Sequence, residues 1–161
     1  MRIRDAAAED WPAIWPFLRE IVRAGETYTW PLDIDDDAAR RVWMAPPPAC
    51  TLVAVDGDAV LGTAKVGPNQ LGPGAHVANA SFMVDPAHGG KGVGRALGTA
   101  VLERARADGY RAMQFNAVVE TNVGAVALWR SLGFSVLATV PEAFLHPSLG
   151  YVGLHVMHRA L

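Results

Sequence analysis

The chain holds a single cysteine, Cys50, so it can form no internal disulfide and must be stabilised by other means. It also lacks a long apolar run. Every uncharged apolar stretch falls well short of the roughly 20 residues that a membrane helix requires, so no membrane partner is expected. Residues Met1-Arg2-Ile3-Arg4-Asp5 carry no apolar segment of the secretory kind. These three absences point to a reducing, cytoplasmic setting. An excess of positive charge is missing too. Lys and Arg number 14 against 16 Asp and Glu, for a formal net charge of -2. That balance argues against a nucleic-acid partner, whose phosphates call for a basic patch or stripe. No metal staple is expected, because the composition supports a core without one.

Apolar residues make up 51% of the 161 and charged residues 19%. One domain over residues 1–161 is the natural reading, and a chain of this size buries roughly 70% of its unfolded surface. Trp11, Ile14, Trp15, Leu18, Ile21 and Val22 recur at helical spacing over residues 8–24. Pro16 should bend or shorten that helix, and Gly25 suits its C-terminal cap. A strand over Arg2–Ala6 precedes it. A second helix opens on the acids of Asp33–Asp37 and stops at Pro46-Pro47-Pro48. Thr51–Val55 and Ala59–Val66 flank Asp56-Gly57-Asp58 as a hairpin. Gly67–Gly74 reads as a loop, Val77–Val84 as a fourth strand and Arg111–Val119 as a fifth. Asn122–Leu132 reads as a helix, and Gly133–Val140 and Tyr151–His158 as the last strands. The order β-α-α-β-β-β-α-β-α-β-β predicts an α/β fold, a single mixed sheet with helices on both faces.

Between the fourth strand and the helix that carries Val93, Leu97, Val101, Leu102 and Ala105 stands Gly89-Gly90-Lys91-Gly92-Val93-Gly94. Glycines let main-chain N–H groups approach an anion closely, and a helix N-terminus adds about half a positive charge. Lys91 and Arg95 add side-chain charge nearby. The chemistry suggested is phosphate binding, although a glycine-rich loop taken alone also serves merely to turn a chain. A Walker A loop requires Ser or Thr after its lysine, and Gly92 follows Lys91. The dinucleotide fingerprint requires a glycine where Leu97 stands.

The stretch Val84-Asp85-Pro86-Ala87-His88-Gly89-Gly90-Lys91-Gly92-Val93-Gly94-Arg95 resembles motif A of the GNAT acetyltransferase superfamily, written Arg/Gln-x-x-Gly-x-Gly/Ala. Gly89 stands where that motif has Arg or Gln. Further on, Asn122-Val123-Gly124-Ala125-Val126-Ala127-Leu128-Trp129-Arg130-Ser131-Leu132-Gly133-Phe134 resembles motif B, Asn-x-x-Ala-x-x-Leu-Tyr-x-x-x-Gly-Phe, with Trp129 in place of the tyrosine. The resemblance implies a mostly antiparallel sheet of six to seven strands, splayed between the fourth and fifth. It implies acetyl-CoA as the cofactor. The pyrophosphate would lie on Gly89, Gly90, Lys91, Gly92, Val93, Gly94 and Arg95. The pantetheine arm would lie along Phe82, Met83 and Val84, beside Asn122 and Trp129. Asn122 equally suits a helix N-cap, and Trp129 equally suits a buried helix position. A homodimer through Tyr151–His158 is a further implication.

The family's usual proton donor to the leaving thiolate is the tyrosine that Trp129 replaces, and an indole N–H is no acid near neutral pH. An attacking alkylamine, with a pKa near 10, must also lose a proton. The fourth strand offers only Asn79 and Ser81 as polar residues. Glu120, which follows the fifth strand, and His146 rank first as bases, ahead of Glu26, His76 and His155; a water relay is the other route. The segment Glu26-Thr27-Tyr28-Thr29-Trp30-Pro31 is similar to phosphinothricin-type acetyltransferases. Phe115-Asn116-Ala117-Val118 is similar to fungal imino-acid acetyltransferases, in which Asn116 would face the reacting substrate. Glu26, Tyr28, Trp30, Asn79 and Asn116 therefore form the expected pocket for a small amine. The reading is an N-acetyltransferase acting by direct attack on the thioester. Its rival is an acyl-CoA sensor of the same fold that has lost catalysis.

Overall fold

The computed structural model describes residues 1–161. One seven-stranded sheet runs through the molecule in the order β1-β2-β3-β4-β5-β7-β6. Its strands are β1 (Arg2–Asp5), β2 (Cys50–Asp56), β3 (Ala59–Pro68), β4 (Val77–Val84), β5 (Ala112–Val119), β6 (Ser135–His146) and β7 (Gly150–Ala160). All neighbours are antiparallel except β4 and β5. Helices α1 (Trp11–Ala24) and α2 (Asp36–Trp43) cover one face, and α3 (Val93–Ala107) and α4 (Val123–Ser131) the other. The α/β fold and the splayed mixed sheet expected from the sequence are what the structure shows.

Each face has its own core. Under α1 and α2 lie Trp11, Ile14, Leu18, Val22, Trp43, Val53 and Met83; under α3 and α4 lie Ala64, Ala80, Leu97, Val101, Met113, Phe115 and Trp129. Burying a large apolar side chain of this kind stabilises the fold by about 1.5–3 kcal/mol. The α3–α4 contact is close enough to dictate glycine. A Cβ on Gly98 would meet Leu132 Cδ1 at 2.7 Å and Trp129 Cζ3 at 3.2 Å, and one on Gly94 would meet Leu128 Cδ2 at 3.3 Å.

Two boundaries differ from the expected ones. Pro16 does not cut short α1, which runs unbroken from Trp11 to Ala24. The hydrogen bond that Pro16 cannot make would reach the carbonyl of Pro12, an exposed residue of the first turn. Strand β6 continues past Val140 to His146, through an irregularity in its pairing with β7 between Val140 and Phe144. Pro141 interrupts the apolar pattern there and hides the second half of the strand from a periodicity reading.

Candidate active site

Strands β4 and β5 are paired at only two positions, Val77 with Ala112 and Ala78 with Met113. Beyond them the sheet opens. Two devices hold the opening. The Asn79 side chain donates from Nδ2 to the Gln114 carbonyl at 2.9 Å, the last bond across the fork. A bulge at Asn116 and Ala117, between the pairs Phe115–Met157 and Val118–His155, then bends β5 away.

The register of β3 against β4 decides which backbone groups face the opening. Asn69 N–H donates to Val77 O, and Asp85 N–H to Leu61 O. The odd-numbered residues of β4, Asn79, Ser81 and Met83, are therefore the ones hydrogen-bonded to β3. Ala80, Phe82 and Val84 turn their N–H and C=O groups toward the fork. The Val84 backbone is thus free toward the fork, and that of Phe82 faces it but is bonded to the Tyr28 hydroxyl. Met83 also lines the cleft, but its backbone pairs with β3 and its side chain is buried in the core with Ile14, Trp43 and Val60.

At the C-terminal end of β4 the chain makes a short 3-10 turn, Pro86–His88, capped by the Asp85 carboxylate on Ala87 N–H at 2.9 Å. Gly90 and Gly92 follow with φ of +74° and +79°, values that glycine adopts without strain. The first bond of α3 runs from Ala96 N–H to Gly92 O at 3.0 Å. No N–H group from Gly90 through Arg95 finds an acceptor within the chain. A run of unpaired donors at a helix N-terminus is an anion cradle. Open space lies over Gly90 and Gly92, whereas Gly94 packs closely against Leu128. Val93 is buried in the core and contributes only its backbone. Lys91 is exposed. The Arg95 guanidinium donates to Ser131 Oγ at 3.0 Å, which ties it to α4.

The cleft at the fork has a volume of about 420 Å³ and 19 lining residues, 13 of them hydrophobic. On one side, Trp129 packs against Phe82 and Phe115, with ring centroids 4.6 and 5.0 Å away. Asn122 lines the same wall and also caps α4, accepting Ala125 N–H at 3.3 Å. On the other side, Thr27, Tyr28, Thr29 and Trp30 descend from the α1–α2 loop. The Tyr28 hydroxyl accepts Phe82 N–H at 3.0 Å and donates to Phe82 O at 2.7 Å. Burial pushes that hydroxyl well above tyrosine's ordinary pKa, so it stays protonated at any physiological pH. Asn79 and Asn116 complete the lining. Asn116 donates to Asn69 Oδ1 at 2.7 Å and accepts from Gln114 Nε2 at 3.0 Å.

None of the expected acid or base residues lines the cleft. Glu120 turns to β7, where its carboxylate accepts Gly153 N–H at 2.6 Å and continues the pairing that the β5 bulge interrupts. His146 sits at the β6–β7 turn, its Nδ1 accepting Ser148 N–H at 3.2 Å and Leu149 N–H at 3.3 Å. Glu26 is exposed on the loop that delivers Tyr28, and its side chain is not part of the lining. His76 and His155 are outside the lining as well. Ile21, Ala80, Ser81, Val119 and Ala125 also line the cleft. Ser81 stands out in the sequence as one of the two polar residues on the fourth strand, and Ala125 as the alanine of the second motif.

Comparison with known proteins agrees with this geometry. The "Acetyltransferase (GNAT) family" profile matches residues 4–134. The N-acetyltransferase aca1 of Schizosaccharomyces pombe is 32% identical over 114 residues, 70% of this chain and 54% of that protein. The chain thus spans about half of that relative. The L-methionine sulfoximine/L-methionine sulfone acetyltransferase of Pseudomonas aeruginosa is 33% identical over 145 residues, 87% of this chain and 83% of the relative. Among solved structures, a GCN5-related N-acetyltransferase from Kribbella flavida superposes with a TM-score of 0.97 at 61% identity, over 99% of this chain and 97% of that one. The acetyltransferase yncA from Salmonella typhimurium, solved with its cofactor acetyl-CoA, gives 0.84 at 28% identity, over 100% and 94%. With the fork, the N–H cradle and both motif helices in place, the chain belongs to the GNAT acetyltransferase family.

Proposed function

We propose that the protein transfers the acetyl group of acetyl-CoA to the amine of a small, amino-acid-like substrate by direct attack of the amine on the thioester. The observation that carries this reading is the run of unpaired N–H donors from Gly90 to Arg95, which follows in the chain directly after the β4 edge that lines the cleft. Free β4 backbone at Val84 and Ala80 lies along an open, largely apolar cleft. The donors suit the pyrophosphate of CoA and the β4 edge suits the amides of its arm. Besides Tyr28, Thr27, Thr29, Asn79, Ser81, Asn116 and Asn122 are the neutral polar residues of the lining available to orient the amine. No carboxylate or imidazole lines the cleft, so the amine's proton leaves through water, and the protein acts by positioning and by polarising the carbonyl.

The Pseudomonas relative is named for methionine sulfoximine and methionine sulfone, compact amino-acid analogues that match a cleft of this size. Free-thiol release from acetyl-CoA, measured over amino acids, these two analogues, phosphinothricin and polyamines, tests the assignment. Turnover with one or more compact amino acids and none with polyamines is expected. Tight CoA binding with no thiol release across the whole panel would instead make the protein an acyl-CoA sensor.

The same reading takes residues 1–161 as one domain working in the cytoplasm and pairs it with a second copy. The outer edge of the sheet, β6 with its β7 neighbour, exposes Leu137, Val140, Leu145 and Tyr151, and this is where a homodimer would form. Sedimentation of the wild type against Leu145→Lys measures it.

A further inference from the structure

Of the residues that line the cleft, Tyr28 alone has an ionisable side chain. Its hydroxyl lies against the one β4 backbone pair facing the fork that is already taken, the N–H and C=O of Phe82. A hydroxyl that accepts this N–H marks a place where an oxygen fits. The place is shielded by the Phe82, Phe115 and Trp129 rings on one side and by Trp30 and Trp43 on the other. Trp43 is itself fixed, with no exposed surface and its indole N–H on Thr63 Oγ1 at 3.0 Å, and so it sets where the Tyr28 ring stands.

We propose that Tyr28 is a catalytic residue: its hydroxyl and the Phe82 N–H together form the hydrogen-bond site for the acyl oxygen of the thioester and for the charge that this oxygen acquires during transfer. The inference rests on the acetyl-CoA reading above. On arrival the acyl oxygen shares the Phe82 N–H with the Tyr28 oxygen, and the Tyr28 hydroxyl swings its hydrogen from the Phe82 carbonyl to the acyl oxygen. The amine nitrogen then uses its lone pair to form the C–N bond, and the carbonyl π pair moves onto the oxygen held by the two donors. The pair returns as the C–S bond breaks. Sulfur leaves with the bonding electrons and receives, through water, the proton that the amine gives up. Tyr28 keeps its own proton throughout, because burial holds its hydroxyl above the ordinary tyrosine value while a thiolate of pKa about 8.5 is too weak a base to remove it. A donor preorganised in a dry site is most effective where charge develops.

The test uses carbonyl-labelled [1-13C]acetyl-CoA and infrared difference spectroscopy, and needs no amine. In the wild-type protein the bound thioester C=O stretch should lie below its frequency in water, and in Tyr28→Phe it should move up, with CoA affinity changed less than about threefold. Turnover with whatever amine the panel identifies should fall by about 10²–10³-fold in kcat with little change in the KM for acetyl-CoA, the size of effect expected for one oxyanion donor. An unchanged stretch in Tyr28→Phe that still binds acetyl-CoA overturns the proposal. If that variant fails to fold, the wild type decides: a bound carbonyl at or above its frequency in water has no such donors, and the proposal falls. Failure of wild-type protein to bind acetyl-CoA at all would sink the functional assignment and this inference with it, which separates the two.

Discussion

The N–H cradle and the cleft are built in opposite ways. The cradle, proposed to take phosphate, is backbone from one continuous stretch, Gly90 to Arg95, and its N–H groups are unpaired because a helix starts there and has no turn before it to receive them. The cleft, proposed to take the acyl group and the amine, is lined by side chains from four separate elements: Tyr28 from the α1–α2 loop, Asn79 and Phe82 from β4, Asn116 from the β5 bulge and Trp129 from α4. The first depends on local conformation and tolerates changes that keep it. The second depends on packing, and a change far from the cleft can dismantle it.

The sharpest way to break this comparison is Gly92→Glu. Its Cβ would enter open space, so the fold survives, yet the carboxylate would lie among the donors meant for phosphate and the φ of +79° would strain. Acetyl-CoA affinity, measured by calorimetry, should fall on the order of 100-fold, a loss of roughly 2.7 kcal/mol. Unchanged affinity would remove the cradle from the binding site.

Gly98→Ala probes the cleft from a distance. The added methyl collides with Leu132 and Trp129 and should cost about 1–3 kcal/mol in unfolding free energy, with turnover falling as Trp129 shifts. A variant as stable as wild type would show that the α3–α4 contact is looser than its distances.

Trp129→Phe keeps an aromatic wall but gives up indole area beside Phe82 and Phe115. Since no proton passes through an indole, kcat should drop by less than about tenfold, an aromatic pair being worth roughly 0.5–1.5 kcal/mol. A loss of several orders of magnitude would give the indole N–H a direct part in the chemistry.

The smallest effects belong to Glu120→Gln and His146→Ala. Gln at 120 still accepts Gly153 N–H, and His146 only caps a turn. Both should leave kcat and its pH profile within about twofold of wild type, as expected of surface substitutions worth less than roughly 0.5 kcal/mol. Loss of a pH limb in either would return a base to the reaction.

The contrast also accounts for what could be read in advance. Gly92, Asn122 and Phe134 lie in two contiguous motifs, and positive φ, helix capping and helix packing leave their mark within a few residues. Val77–Val84 reads as a strand in the sequence, but which backbone groups it turns to the fork depends on the register with β3. Glu120 reads as a candidate base because it follows the fifth strand near the splay, and His146 because it lies near the C-terminal strands. Only the pairing partners Gly153, Ser148 and Leu149 show that their acceptor atoms are engaged elsewhere.

By itself the sequence determined the order of elements, the anion cradle and the family, since each rests on interactions between residues close along the chain. Tertiary structure alone decided that Tyr28 meets Phe82, 54 positions away, and that the carboxylates and imidazoles stay out of the cleft. Contacts of that kind are set by how two cores pack on opposite faces of one sheet, and no local pattern encodes them.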